Sequence, residues 1–324
     1  MHSGANTQMP HTDKAKHISQ CLQLAILLEV STNKPGNVNF TVGFEGTRAE
    51  HFLASAVAAA PSFEEAANRG IAIANKTLSV SKAGIGEIIK ACVTDIGAWQ
   101  KGGNTLLGTV MLFAPIAVAA GMTKTTKDFT FDMSTLRANV KSAVESTTVQ
   151  DAVHLYEAVN IANPSGLNKS NELDVNNPES KQRLLKDNVS LFKVFQIGAP
   201  YDDVCSEWVN NYPITFTEAY PYLMEQLQTK GDLNQAIVHT FLKILAEHPD
   251  TFIARKAGTQ KAQEISNDAK EALQLGGLET PAGQKSISNL DLKLRGSGNR
   301  LNPGTTADIT ATTLALCTLS GYRP

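Results

Sequence analysis

An apolar stretch, residues 106–120, places the strongest constraint on how this chain can fold. It is apolar on nearly every side when drawn as a helix, and glycines precede it in the sequence. A helix that is apolar all round has to be surrounded by other parts of the protein. Alternating strand patterns are almost absent, and the other segments between turn signals have the length of helices. The sequence therefore predicts an all-α, multi-helix fold with this helix at its centre.

The turn signals divide the chain further. Pro61 is predicted to end a helix over residues 48–60, and the Gly- and Ser-rich segment after residue 275 is predicted to be a linker. Residues 1–12 are polar and are predicted to form a disordered tail. Residues 13–324 are predicted to form a single domain, because no internal repeat or lasting heptad pattern divides them.

Composition excludes several classes of function. The 324 residues have a formal net charge of -2. Nucleic-acid binding requires a basic surface, and this charge balance does not indicate one. No apolar run reaches the roughly 18 residues that cross a bilayer, and the first residues show no secretory signal. The four cysteines lie far apart in apolar contexts, as is typical of reduced core residues. We therefore predict a cytoplasmic protein that binds neither nucleic acid nor membrane, with alanine-rich helices that leave room for a homodimer interface.

The densest polar stretch is residues 29–39. A predicted helix over residues 13–30 ends here, and Pro35 and Gly36 break it. A cation and free backbone N–H groups beside a helix end suit phosphate oxygens. A plain helix C-cap with an exposed lysine explains the same spacing equally well. The candidate ligands are Ser31, Lys34, Gly36 and Asn37.

Two further turn clusters precede predicted helices. Gly102-Gly103-Asn104-Thr105 opens the central helix, and Asn302-Pro303-Gly304-Thr305-Thr306-Ala307-Asp308 opens the last one. Glycines at a helix N-terminus let an anion approach the free N–H groups and the positive end of the helix dipole. Ordinary caps are the alternative in both places, with Thr305 and Asp308 at capping-box spacing. The candidates are Gly103, Asn104, Thr105, Asn302, Gly304 and Thr306.

Carboxylates elsewhere suggest a site for a hard cation. Asp151 and Asp174 flank a Pro-Ser-Gly turn, and Mg²⁺ typically binds one or two protein carboxylates together with nucleotide phosphates. A capping box from Thr148 to Asp151 is the structural alternative.

Arg255 follows an apolar pair in a predicted helix, and a guanidinium near an apolar face needs an anionic partner.

In the order of these clusters, the chain resembles the triphosphoribosyl-dephospho-CoA synthase family over nearly its whole length. No single motif decides this resemblance; the spacing of all of them does. The matching segments are Glu29-Val30-Ser31-Thr32 with Lys34-Pro35-Gly36, Ser55-Ala56 with Pro61 and Phe63, Asn104-Thr105 with Gly108, Asp151-Ala152 with Pro164-Ser165-Gly166-Leu167 and Asp174-Val175, and residues 302–308.

The resemblance implies an all-α enzyme that acts on ATP and dephospho-CoA. It would break the adenine–ribose bond of ATP, release adenine and join the triphosphoribosyl group to a ribose hydroxyl of dephospho-CoA. Glu29 is the catalytic candidate, because a carboxylate beside an apolar helix face can have the raised pKa of a general base; its alternative is a helix-end salt bridge. Lys34 and the glycine turns would hold the triphosphate, and Asp151, Asp174 or Asp308 a Mg²⁺.

The chain also departs from the better-known members of that family. Leu106 and Leu107 stand where they have a histidine and a lysine, and Asn39 stands where they have an aspartate. The departures suggest a divergent branch of the kind found in archaea, with the nucleotide half of the site better kept than the acceptor half. Ribosyl transfer to another cofactor precursor, such as a pterin, and non-catalytic nucleotide binding are therefore alternatives.

Overall fold

The structure is a computed structural model that describes residues 11–126, 128–166 and 172–324. Most of the predicted tail (residues 1–10) and part of the predicted turn after Gly166 lie outside these ranges, and residues 11 and 12 already belong to the first helix. The α-helices of the described residues are α1 His11–Ser31, α2 Ala49–Ala74, α3 Ile85–Trp99, α4 Leu107–Met122, α5 Met133–Glu145, α6 Val149–Ala162, α7 Pro178–Asp187, α8 Leu191–Gly198, α9 Asp203–Val209, α10 Tyr220–Lys230, α11 Leu233–Glu247, α12 Thr251–Ala257, α13 Thr259–Gln274, α14 Pro281–Arg295 and α15 Gly304–Leu319.

The fold is all-α, as the sequence predicts. Two short 3₁₀ turns, Val80–Lys82 and Gly277–Glu279, and a π-helical turn, Ile214–Ala219, complete the helical elements. The described residues contain no β-strand, only two isolated bridges between Phe44 and Thr47 and between Thr125 and Phe131. Within those residues, no helix is both long enough and apolar enough to cross a bilayer.

Helix α4 lies among α1, α2, α3, α5 and α15 and is buried along nearly its whole length. Its closest neighbour is α2, and glycines make the close approach possible. A Cβ added at Gly70 of α2 would lie 2.0 Å from the carbonyl oxygen of Val118 in α4. A Cβ at Gly121 would lie 2.2 Å from the carbonyl oxygen of Ala67. These distances are far below van der Waals contact, so the α2–α4 packing requires glycine at both positions.

The predicted helix end at Pro61 is wrong, because α2 continues from Ala49 to Ala74 through that proline. A proline inside a helix leaves the carbonyl four residues earlier without its N–H donor. That carbonyl belongs to Val57, a residue that is 53% exposed, and Pro61 itself is exposed. The disrupted position therefore faces outward, while Ala59 and Phe63 stay buried.

The predicted linker after residue 275 is also wrong, because residues 281–295 form α14. Thr280 caps this helix by accepting a hydrogen bond from the Gly283 N–H, and Pro281 occupies its first turn, where a proline is tolerated. Its buried residues are Gly283, Ile287, Leu290 and Leu294. This helical spacing gives one apolar face among many polar residues, and that face packs on α13.

Three apolar clusters form the interior of the described chain. The largest draws on α1 to α11 and α15, and the second on α11 to α14. A small third cluster joins Val30, Val38 and Ala49. The four cysteines are free thiols, and Cys21, Cys92 and Cys317 are buried.

Candidate active site

A cavity of about 490 Å³ opens where several helix ends meet. Its walls come from the end of α1, the segment before α4, the start of α12 and the start of α15. Nine of the residues that the sequence singles out line this cavity: Glu29, Asn37, Gly103, Asn104, Thr105, Arg255, Asn302, Gly304 and Asp308. The fold therefore brings three separate turn clusters to one place.

Glu29 lies near the end of α1 and forms a buried ion pair with Lys34. The Lys34 Nζ lies 3.1 Å from the Glu29 Oε1. This ammonium also donates to the Glu29 carbonyl and, at 3.0 Å, to the Thr32 carbonyl. Only 1% of Lys34 is exposed, and it does not line the cavity. A phosphate ligand would face the cavity. Lys34 instead contacts Glu29, the catalytic candidate, from the protein interior.

Burial has the largest effect on the pKa values of Glu29 and Lys34. It raises the pKa of the Glu29 carboxyl, and the Lys34 ammonium opposes that rise. It lowers the pKa of Lys34, against the opposing charge of Glu29. A buried carboxylate with a raised pKa and a single bound cation can accept a proton more readily than an exposed glutamate can.

Asp308 is the second carboxylate of the cavity, in the first turns of α15. Its Oδ1 accepts a hydrogen bond of 2.5 Å from the Thr109 hydroxyl on α4. A Cβ at Gly108 would lie 2.0 Å from its Oδ2, so the carboxyl sits where only glycine leaves room. Asp308 is partly open to the cavity but enclosed elsewhere, and this desolvation raises its pKa to about 7, with smaller contributions from Glu29 and Asp250.

Arg255 brings a guanidinium to the cavity wall from α12. It pairs with the Asp202 carboxylate and lies 5.5 Å from the centre of the Phe252 ring. The predicted need for an anionic partner is therefore met by Asp202, which also lines the cavity. Sequence reasoning missed Asp202, Phe252 and Thr109. Phe252 stands one helical turn before Arg255, whereas nothing local marks Asp202 or Thr109, because their partners are distant in sequence.

The turn after α1 is tied to the C-terminal part of the chain. The Gly36 N–H donates to Asp291 Oδ1 at 2.7 Å, and Asn302 Nδ2 donates to the Gly36 carbonyl at 2.9 Å. Gly36 has a φ of 72° and a Cβ there would lie 2.6 Å from Leu294, so this position requires glycine on both counts. Gly36 therefore shapes the cavity wall without lining it.

Thr306 has a similar supporting role. Its N–H and hydroxyl both donate to Asp250 Oδ2 at 2.8 Å. The other oxygen of Asp250 caps α12 by accepting from the Ile253 N–H. Asp250 thus joins the starts of α12 and α15, the two helices that bring Arg255 and Asp308 to the cavity.

Three further predicted residues, besides Lys34, Gly36 and Thr306, do not line the cavity. Both oxygens of Asp151 are engaged, by the Gly86 N–H at 2.9 Å and by the Thr148 N–H and hydroxyl at 2.8 Å, so the capping-box alternative is confirmed there. Asp174 accepts from the Asn176 N–H in a local turn. The exposed Ser31 donates to the Leu28 carbonyl. The described carboxylates that do line the cavity are Glu29, Asp202 and Asp308.

Ordinary helix caps are also the alternative for the turns before α4 and α15, and the two helices differ in how they are capped. Asn104 Oδ1 accepts from the Leu107 N–H at 3.1 Å, so this residue stabilises the start of α4 while lining the cavity. Thr105 donates to or accepts from the Ser55 hydroxyl at 2.7 Å. At α15 the N-cap residue, Pro303, makes no side-chain cap, and Asp250 from outside the helix accepts from the Thr306 N–H. The Asp308 carboxyl turns to Thr109.

These observations define an all-α protein with paired carboxylates in a cavity of nucleotide size. The chain belongs to the CitG family, described as ATP:dephospho-CoA triphosphoribosyl transferase, whose profile matches residues 15–324. The structure is similar to a crystal structure assigned to a triphosphoribosyl-dephospho-CoA synthase from Archaeoglobus fulgidus. That likeness has a TM-score of 0.59 at 20% identity over 84% of this chain and 100% of the other, which supports the fold.

Curated relatives match shorter parts of the chain. The protein CitXG of Leuconostoc mesenteroides subsp. cremoris is 31% identical over 119 residues, 36% of this chain and 24% of that protein. The 2-(5''-triphosphoribosyl)-3'-dephosphocoenzyme-A synthase of Klebsiella pneumoniae is 28% identical over 97 residues, 30% of this chain and 32% of the synthase. The matches thus span about a quarter and a third of the length of these relatives.

Proposed function

We propose that the chain is a transferase that moves the triphosphoribosyl group of ATP to an acceptor hydroxyl, such as that of dephospho-CoA, and releases adenine. The observation that supports this most directly is the pair of carboxylates, Glu29 and Asp308, which both line the cavity and are close enough for the charge of Glu29 to raise the pKa of Asp308. Membership of the family supports these substrates, and the cavity of about 490 Å³ has the size of a nucleotide site.

The chemistry requires one bond to break and one to form. The bond between C1′ of the ribose and N9 of adenine breaks, and adenine leaves with the electron pair and takes up a proton. The oxygen of the acceptor hydroxyl then bonds to C1′, and its proton passes to a base. The C1′ centre gains oxocarbenium character, which a nearby carboxylate stabilises, as in glycoside cleavage. Glu29 suits the role of base because burial raises its pKa and Lys34 holds its carboxylate in place.

The triphosphate would lie against the helix N-termini of the cavity. The first residues of α4 and of α15 line it, and the N–H groups of a first helical turn favour anions. Arg255, which pairs with Asp202, adds a guanidinium to the cavity lining, and an arginine can also bind phosphate oxygens. Lys34 supports the base instead of the phosphate in this proposal, because its ammonium is buried against Glu29 and does not line the cavity.

Asp308 is the predicted Mg²⁺ ligand that fits a cation bound with the triphosphate. Its carboxyl lines the cavity, whereas those of Asp151 and Asp174 do not. A magnesium ion there would neutralise phosphate charge and would itself favour the ionised form of Asp308. The cytoplasmic location and the homodimer stay predictions.

The test is to incubate the purified chain with Mg²⁺, ATP and dephospho-CoA and to measure adenine and the triphosphoribosyl product by mass spectrometry. Wild type should form both in equal amounts. Glu29→Gln should lower the rate at least 100-fold, since general-base catalysis contributes about 10²–10⁴. Glu225→Gln, the same change at an exposed site on α10, should leave the rate unchanged.

The acceptor is tested in the same assay. Adenine release without transfer to dephospho-CoA would point to another acceptor, and a screen that includes pterin alcohols would identify it. Binding of ATP with no adenine release under any acceptor would contradict the proposal and favour a nucleotide-binding protein.

A further inference from the structure

Asn37 lines the cavity, and the nitrogen of its side-chain amide is buried without a partner in the described part of the chain. The residue is 5% exposed and lines the cavity. Its Nδ2 has no hydrogen-bond partner among the described residues. A buried donor without an acceptor is unfavourable, so such groups in native proteins usually have a partner that the bare chain does not supply.

The orientation of this amide follows from its neighbour Asn302. Asn302 Nδ2 donates to the Gly36 carbonyl oxygen at 2.9 Å, and a carbonyl oxygen can only accept. The orientation of the Asn302 amide is therefore fixed. The same Nδ2 donates to Asn37 Oδ1 at 3.2 Å, so the Asn37 oxygen faces Asn302 and its NH₂ group faces away.

The surroundings of Asn37 are rich in donors. Arg295 Nη2 donates to the Asn37 carbonyl oxygen at 2.6 Å, while the carboxylate of Asp291 binds the Nε of this arginine at 2.8 Å. Arg295 Nη1 is buried and has no partner within the described chain. Arg255 also lines the cavity, where it pairs with Asp202. The two N–H groups without a described partner at this turn, on Asn37 Nδ2 and Arg295 Nη1, match the oxygen atoms of a phosphate, which only accept hydrogen bonds.

We propose that Asn37 determines substrate specificity by donating a hydrogen bond from Nδ2 to a phosphate oxygen of the nucleotide's triphosphate. This inference rests on the proposed function, which places ATP in the same cavity. It assigns phosphate recognition at this turn to Asn37, whereas Lys34 supports Glu29. A hydrogen bond to a charged oxygen is among the stronger polar contacts in proteins.

The test compares two matched substitutions in one loop by calorimetric titration with ATP and with adenosine. Asn37→Asp keeps the shape and the oxygen that accepts from Asn302, but replaces the donor with a charged oxygen. The dissociation constant for ATP should rise at least tenfold, and that for adenosine should stay within twofold.

Asn39→Asp is the control, because it adds the same charge two residues away. The Asn39 oxygen accepts from the N–H groups of Thr41 and Val42, contacts that an aspartate also makes. Its ATP affinity should stay within twofold of wild type. Asn37→Ser, which removes the donor without adding charge, gives the answer if thermal unfolding shows that Asn37→Asp is not folded.

Three results would overturn the inference: unchanged ATP affinity in Asn37→Asp, an equal loss for adenosine and ATP, or the same loss in Asn39→Asp. A wild type that binds ATP but releases no adenine would contradict the proposed function and leave this inference standing. If the wild type releases adenine and Asn37→Asp binds ATP with unchanged affinity, the proposed function stands and this inference is contradicted. A wild type that binds no ATP would contradict both.

Discussion

Lys34 shows what spacing alone leaves open at the scale of a single residue. Its position after a helix end suggests either an exposed lysine or a phosphate ligand. In the structure it is 1% exposed and binds the Glu29 carboxylate and two carbonyl groups. Sequence spacing fixes which residues are neighbours along the chain, but the direction of a side chain depends on how the turn folds back. That direction depends here on Gly36, whose N–H is bound by Asp291 on distant α14.

Lys34→Met should lower the turnover number at least tenfold and leave the KM for ATP within about twofold. The substitution removes the cation from a buried carboxylate, so more of Glu29 is protonated and unable to act as base. Steady-state kinetics of adenine release against ATP concentration measure both parameters. A large rise in KM with an unchanged turnover number would instead show that Lys34 binds the triphosphate.

The stability of the same variant gives its control. Removing one partner of a buried ion pair costs about 3–5 kcal/mol, because the other charge stays buried. The double variant Lys34→Met/Glu29→Gln leaves no charge there and should be more stable than Lys34→Met in denaturant unfolding. A double variant that is less stable than the single one would show that the pair is not the source of the loss.

At the scale of helices, the sequence predicts where apolar faces lie better than where helices end. The burial of α4 follows directly from its composition. The predictions at Pro61 and at segment 281–295 are wrong because they depend on a local breaker and on a high polar content, whereas the spacing of buried residues continues through both. Phe63, Ile287 and Leu294 continue helical faces through those segments, and tertiary packing decides in their favour.

The glycine contact between α2 and α4 makes a prediction about helix packing. Gly70→Ala should lower the free energy of unfolding by about 1–3 kcal/mol, because its Cβ would overlap the Val118 carbonyl oxygen and force the helices apart. Gly97→Ala is the matched control in α3, where an added Cβ meets nothing within 4 Å. It should stabilise the chain by about 0.5–1 kcal/mol. Equal effects of the two substitutions in urea unfolding would contradict the close packing of α2 on α4.

At the scale of the whole molecule, the candidate site joins distant parts of the chain. Glu29 and Asn37 come from the first 40 residues, and Asn302 and Asp308 from the last 25. The sequence predicts these four residues because each lies in a turn or beside one at a helix end. It could not show that Asp151 belongs to a cap at α3 and α6, since Gly86, which completes that cap, is far away in sequence.

A ligand held by both ends of the chain should stabilise the whole fold. ATP at 100 times its dissociation constant contributes about 2.7 kcal/mol to stability, which for a chain of this size raises the melting temperature by several degrees. Thermal unfolding should therefore shift upward with ATP in wild type and, to a similar extent, in Glu29→Gln, because that substitution removes the base and keeps the cavity walls. Hydrogen exchange should slow both at the start of α15 and at the end of α1 when ATP binds. Protection at only one of these two segments would contradict a site built from both ends, and protection at neither would contradict nucleotide binding in this cavity.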